Sequence, residues 1–123
     1  MNILIDTHIF LWLIYDTKKV DKKHMDYLKD LDNTIYLSAM SIAEIMIKKS
    51  IGSLEVDFDM DDVLEVMGIK ILDFDAKSAM LLGTLPLHHR DPFDRMIIAQ
   101  ALTNRCKIIS VDSKFAFYKC ELL

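Results

Sequence analysis

Glycine occurs only three times, proline twice and cysteine twice in 123 residues, and each scarcity removes a class of structure. No stretch has the glycine- or proline-rich composition of a linker, and no internal repeat divides the chain. Cys106 and Cys120 lack CxxC or Cys/His metal spacing, so they read as reduced, partly buried thiols of a reducing compartment. Long apolar runs are missing as well. Ile9–Tyr15, the longest near the N-terminus, is far too short to span a bilayer, and Asp6 with no basic residue before it is unlike a secretion signal. A cytoplasmic protein without a membrane segment is expected. There is no basic excess either: the net charge is −4. Binding to a polyanion would therefore depend on local basic patches or bound cations.

What is present is globular composition, 52% hydrophobic and 28% charged residues. A chain of this length can bury a core without disulfides or a structural metal, and one domain over residues 1–123 is expected. Asn2–Ile5 is apolar without alternation, as in a parallel strand covered on both faces. Ile9–Tyr15 reads as helix, Asp21–Leu31 as a charged amphipathic stretch with Met25 and Leu28 apolar and lysines opposite, Thr34–Leu37 as strand and Ser41–Ser50 as helix. Further on, Met60–Met67 is predicted helical, Ile69–Leu72 a strand, Ala76–Leu82 a helix, Pro92 to about Asn104 a helix, and Lys107–Val111 a strand. Ser113–Phe117 should make a helical turn and Lys119–Leu122 an edge strand. Strands alternating with helices imply a three-layer α/β/α sandwich around a mainly parallel sheet.

Ligands of such sheets bind outside the carboxyl ends of the strands, so acids at strand-to-helix junctions are worth isolating. Asp6 follows the first strand, Glu44 falls in the first turn of the helix after Thr34–Leu37, Asp94 opens its own helix, and Asp112 follows Lys107–Val111. All four map to one edge. Each also has a plain explanation: Asp91-Pro92-Phe93-Asp94 puts Asp91 at an N-cap, Ser41-Ile-Ala-Glu44 is a capping box, and Asp6 and Asp112 can each cap the next helix or turn. Glu44 fits that explanation least well. Ile42, Ala43, Ile45, Met46 and Ile47 surround it, and a buried carboxylate wants a cation.

Four blocks in order carry a family resemblance: Ile3-Leu-Ile-Asp-Thr-His8; Leu37-Ser-Ala-Met-Ser-Ile-Ala-Glu-Ile45 with Lys48 and Gly52; His89-Arg-Asp-Pro-Phe-Asp-Arg-Met-Ile-Ile-Ala-Gln-Ala101; and Ile109-Ser-Val-Asp112 with Phe115. Together they resemble the PIN-domain ribonucleases, specifically the VapC-like toxins of bacterial toxin–antitoxin pairs. The resemblance implies a PIN-like fold and an acidic metal site at Asp6, Glu44, Asp94 and Asp112. Asp91 would be a supporting acid, and Thr7 and Ser110 would contribute hydroxyls. Members often carry Thr where Ser110 stands. A homodimer and a cognate antitoxin covering the active site are also implied.

Carboxylate oxygens select hard cations such as Mg²⁺ or Mn²⁺, which bridge to phosphate and activate water for in-line displacement. Hydrolysis of RNA phosphodiester bonds is the expected reaction. Lys48, Lys49, Arg90, Arg95 and Lys114 lie near the acids in sequence, where they would hold flanking phosphates or serve as solvated surface charge. Other metal-dependent nucleases, acting on DNA or in RNA processing, share this description. A phosphoacceptor receiver domain does so less well, because it wants adjacent acids after its first strand, where this chain has Asp6 beside Thr7. Asp57-Phe-Asp-Met-Asp61 imitates a calcium loop but lacks Gly at its sixth position and Glu at its twelfth, so it reads as a helix start. His88 and His89, adjacent and without other spaced ligands, read as surface or substrate-contact residues and not as zinc ligands. The run Ile9–Tyr15 exceeds one buried helix face; core is the first reading, and a protein interface is the alternative for some of its residues. The eight methionines suit either gap-filling or an adaptable groove.

Overall fold

A computed structural model describes residues 1–123. Four strands, β1 (Asn2–Ile5), β2 (Thr34–Ser38), β3 (Ile69–Leu72) and β4 (Lys107–Ile109), form one sheet in the order β3-β2-β1-β4, every pairing parallel. Ile5 stands opposite Leu37 and Ile109, and Leu37 opposite Ile71, so the strands end together at one edge. Six helices connect them: α1 (Thr7–Tyr15), α2 (Lys22–Lys29), α3 (Ala39–Ser50), α4 (Met60–Met67), α5 (Ala76–Leu81) and α6 (Pro92–Asn104). None is long and apolar enough to cross a membrane.

The unbroken apolar run of β1 is explained by burial on both sides. Ile3 and Ile5 join Ile9, Phe10, Leu37 and Ile45 on one face of the sheet, while Leu4 packs with Ile97, Ile98, Ile108 and Phe115 on the other. Successive strand side chains point to opposite faces, so a two-sided core requires every position to be apolar. Each such side chain, removed from water, contributes about 1.5–3 kcal/mol. The three-layer arrangement is thus the one the strand pattern implies, with all four strands parallel.

Connections β1–β2–β3 progress to one side of β1, and the chain then returns through α5 and α6 to place β4 on the other side. The order reverses between β1 and β4, and that is where such a sheet opens a crevice at its carboxyl edge.

Several boundaries differ from the sequence expectation for local reasons. Helix α1 starts at Thr7 because Asp6 is its N-cap, its side chain accepting from the Ile9 amide at 2.8 Å. Helix α3 starts at Ala39, directly off β2: Ser38 is the last strand residue and also the cap, accepting from the Met40 amide at 3.0 Å. Ser41 and Glu44 therefore do not form a capping box, and Glu44 falls in the second turn. Strand β4 ends at Ile109, and Lys119–Leu122 contributes a single parallel bridge, Leu122 to Ile108, in place of an edge strand. The acidic segment before α4 is a helix start, with Asp59 accepting from the Asp62 amide at 3.0 Å and Gly68 closing the helix at φ +67°, where L side chains are strained. In α1, Ile9 and Phe10 are buried and Leu11 to Ile14 pack partly against the same core, while Tyr15 is exposed and donates from its hydroxyl to Asp57 at 2.7 Å.

Candidate metal centre

The crevice between β1 and β4 is lined by acids that the capping geometry holds in place. Asp6 is 2% exposed. One of its oxygens caps α1 and the other accepts the Ser110 hydroxyl at 2.5 Å, while its own amide donates to the Ile109 carbonyl at 3.1 Å. Burial pushes the Asp6 carboxyl above the ordinary carboxylate range, against the lowering effect of the Ser110 and Ile9 hydrogen bonds, and the Asp112 charge adds to the rise. Ser110 couples the two strand ends, since its oxygen also accepts from the Asp112 amide at 3.0 Å.

Asp112 caps the 3₁₀ turn Ser113–Phe117 through Oδ1, which accepts from the Lys114 amide at 2.9 Å. Partial burial acts to raise its carboxyl, but that hydrogen bond and the adjacent His89 outweigh it and hold the group below its usual range. Asp94 is different. Asp91 caps α6, accepting from the Phe93 amide at 2.9 Å and the Asp94 amide at 3.4 Å, and Pro92 occupies the first helical position, where a missing N–H costs nothing. The Asp94 side chain is thereby released from capping. Burial, then the Asp91 charge, with smaller contributions from Asp6 and Asp112, push its carboxyl up to about 6, with His89 working in the opposite direction.

His89 also faces the crevice, and the expectation of a surface position for it is corrected. Its side chain is 7% exposed, and Nε2 lies 2.9 Å from Asp94 Oδ2 and 2.9 Å from Asp112 Oδ2. The three ligand-capable atoms of His89, Asp94 and Asp112 all fall within 4.8 Å of one another. The imidazole packs edge-on to Phe115, and the His89 backbone amide donates to the Tyr118 hydroxyl at 2.9 Å. The one signal in the sequence is position: a histidine two residues before an N-cap can fold its ring back over the first turn of the helix. His88 is exposed, as expected.

The remaining candidates divide. Glu44 is buried and its Oε2 accepts from the exposed Lys48 at 3.1 Å along one helix face. Thr7 donates to Ser41 at 2.9 Å, fastening the start of α1 to α3. Lys49, Arg90 and Lys114 are exposed. Arg95 is not free to bind phosphate. Its guanidinium donates to the Pro86 carbonyl at 2.9 Å and the Leu82 carbonyl at 3.3 Å, with the Tyr118 hydroxyl also at 3.3 Å, and so anchors the segment that carries His89. Gln100 carries no signal in the sequence. Fully buried, it bonds Ser38 through its carbonyl oxygen and donates to the Leu72 and Asp73 carbonyls at 3.1 and 3.2 Å, tying the ends of β2 and β3 to α6.

Chemically, the crevice offers hard oxygen donors in excess of nearby positive charge, with Asp94 Oδ2 and Asp112 Oδ2 already converging on one point. Carboxylate oxygens of this kind suit a hard divalent cation.

Comparison with known proteins agrees with this architecture. A family model described as the PIN domain matches residues 3–119. The fold is similar to that in the crystal structure of VapBC2 from Rickettsia felis bound to a DNA fragment from their promoter, with a TM-score of 0.73 and 20% identity over 100% of this chain and 97% of the other. It is also similar to FitAcB from Neisseria gonorrhoeae, with a TM-score of 0.68 and 18% identity over 98% and 96% of the two chains. For VapBC-1 from nontypeable Haemophilus influenzae the TM-score is 0.67, with 16% identity over 100% and 97%. No curated protein sequence matches the chain significantly. With nearly its whole length matched by the family model, the chain belongs to the PIN domain family of nucleases.

Proposed function

We propose that the protein is a divalent-metal-dependent endoribonuclease that acts as the toxin of a toxin–antitoxin pair. The observation that carries the reading is the convergence of Asp94 and Asp112 on one point beside buried Asp6, from three separate places in the sequence. Asp94, Asp112 and Asp6 would hold Mg²⁺ or Mn²⁺, with Glu44 as a fourth acid once Lys48 yields it. The bound cation would supply an activated water and charge neutralisation at the phosphate.

The chain's own residues do the rest. Ser110 orients Asp6 by donating to one of its oxygens, leaving the carboxylate in a fixed rotamer. Asp91 holds the first turn of α6, so that Asp94 faces the crevice and not its own backbone. Exposed Lys49, Arg90 and Lys114 would receive the phosphates on either side of the scissile bond, which matters in a chain of net charge −4. Another structure of similar fold is a toxin–antitoxin complex from Klebsiella pneumoniae, which supports a cognate antitoxin as partner. A homodimer is the proposed assembly, with the partly exposed apolar residues of α1 as the place to look.

The test is cleavage of a single-stranded RNA, with a DNA of the same sequence as control, by purified protein in Mg²⁺, in Mn²⁺ and in excess chelator. RNA cleavage restored by the cation and stopped by the chelator is expected. Undiminished cleavage in chelator would falsify the metal reading, and preferential cutting of the DNA would overturn the choice of substrate.

A further inference from the structure

We propose that His89 is a positioning residue that competes with the divalent cation for Asp94 and Asp112 and so sets how tightly the cation is held. This rests on the metal reading above and adds to it a residue with a defined role.

The tautomer decides that role. His89 Nδ1 accepts the Asp91 backbone N–H at 3.2 Å, so the ring proton is on Nε2. Nε2 is the atom 2.9 Å from both carboxylates, and with a hydrogen on it there is no lone pair to offer a metal. Turning His89 into a ligand would require moving the proton to Nδ1, where it would face the Asp91 N–H head-on. The surroundings hold the ring in place: its backbone is tied to Tyr118, and its edge meets Phe115 with centroids 6.2 Å apart.

The oxygens nearest Nε2 are the ones a cation would need: its hydrogen bond goes to Asp112 Oδ2, and Asp94 Oδ2 lies at the same 2.9 Å. Asp112 Oδ1 is committed to the Lys114 amide, so Oδ2 is the oxygen left to face the crevice. Asp94 presents Oδ2 to the same nitrogen. Each oxygen keeps a second lone pair, so the cation and the imidazole compete without strictly excluding one another. His89 thus stands between two carboxyls, hydrogen-bonded to Asp112 and in close contact with Asp94, and a cation there must draw on the oxygens that face its ring.

The experiment uses the full chain freed of metal by chelator and dialysis, with Mg²⁺ and Mn²⁺ as probes. Nitrogen NMR of the wild-type histidine rings should show the His89 Nε2 carrying a proton and Nδ1 bare, and that proton, hydrogen-bonded in chelator, should move towards a weakly bonded position as Mg²⁺ is added. By calorimetry, His89→Phe, which keeps an aromatic ring against Phe115, should bind Mg²⁺ about tenfold tighter, the order of one hydrogen bond to a charged group no longer given up. The same variant should melt lower than wild type without the cation. His89→Gln, whose amide can still donate, should fall between the two. Weaker binding by His89→Phe would make His89 a ligand, and equal binding would make it a bystander; either overturns the inference. A proton on Nδ1 in the metal-free wild type also overturns it and needs no variant to fold. A wild type that binds neither cation overturns the metal reading itself, and this inference falls with it.

Discussion

Two regions of the molecule are rich in acid, and they have opposite characters. Asp57, Asp59, Asp61 and Asp62 crowd into six consecutive residues ahead of and within α4, all exposed, with Asp59 capping the helix and Asp57 accepting from Tyr15. Asp6, Asp94 and Asp112 are 88 and 18 residues apart in sequence, yet they meet between β1 and β4, where burial or neighbouring charge alters each carboxyl. Density of acid along the chain produces a solvated helix start. Convergence of acid in space, at the point where strand order reverses, produces a crevice in which burial and neighbouring charge raise the Asp6 and Asp94 carboxyls.

Substitution separates the two regions most sharply. Asp94→Asn, Asp112→Asn or Asp6→Asn should each lower RNA cleavage by at least about a hundredfold, the scale of removing one preorganised charge at a reacting phosphate. Asp61→Asn and Asp62→Asn should leave it within about twofold. The measurement is single-turnover cleavage in Mg²⁺, and comparable losses from both groups would erase the distinction.

Metal-linked stability gives the next largest contrast. A site that binds the folded state stabilises it by RT ln(1 + [L]/Kd), about 2.7 kcal/mol at a cation concentration one hundred times Kd. Thermal melting of the wild type should rise with Mg²⁺, Asp62→Asn should rise equally, and Asp94→Asn should rise little.

The raised Asp94 carboxyl adds a pH signature that the exposed acids lack. Because its folded value, about 6, lies above that of an unfolded Asp, the folded state retains a proton between about pH 4 and pH 6. Asp94 therefore favours the metal-free fold at the acid end of that window, and this contribution is lost as pH rises through about 6. The cation needs the ionised form, so the Mg²⁺-dependent melting shift should shrink at about pH 5 relative to about pH 7.5. Asp91→Asn, by removing the neighbouring charge that helps raise Asp94, should move the onset of that shift to lower pH. A Mg²⁺ shift with no dependence on pH across this window would contradict the electrostatics of the crevice.

Capping should give the smallest effects. Asp59→Ala and Asp91→Ala should each cost about 1 kcal/mol in chemical denaturation. Asp59→Ala should leave the Mg²⁺ shift untouched, whereas Asp91→Ala should disturb it through the start of α6. Equal disturbance from both would mean that the α4 acids take part in cation binding.

Much of the edge is legible in the sequence because capping is local chemistry. Asp91-Pro92 is a helix-start signal carried by adjacent residues, and an acid following a short apolar strand reads as a junction without knowledge of what faces it. The misreadings share a cause in contacts made at long range. Glu44 reads a turn too early because Ser38, and not Ser41, supplies the cap once β2 runs straight into α3. Arg95 resembles a phosphate contact until the carbonyls of Leu82 and Pro86 fold over it. His89 looks superficial because nothing adjacent in sequence shows that Asp94 and Asp112 close on its ring from two directions.

By itself the sequence determined the alternation of strand and helix, through apolar runs too continuous for one-sided burial and through the aspartates and serines that start helices. Backbone hydrogen bonding and side-chain period act over a few residues, and a few residues suffice to read them. Only the tertiary structure decided that β4 returns to the far side of β1, because strand order depends on which helix packs against which face of the sheet. That one placement brings Asp112 to within reach of His89 and Asp94, and turns three separate helix starts into a single centre of negative charge.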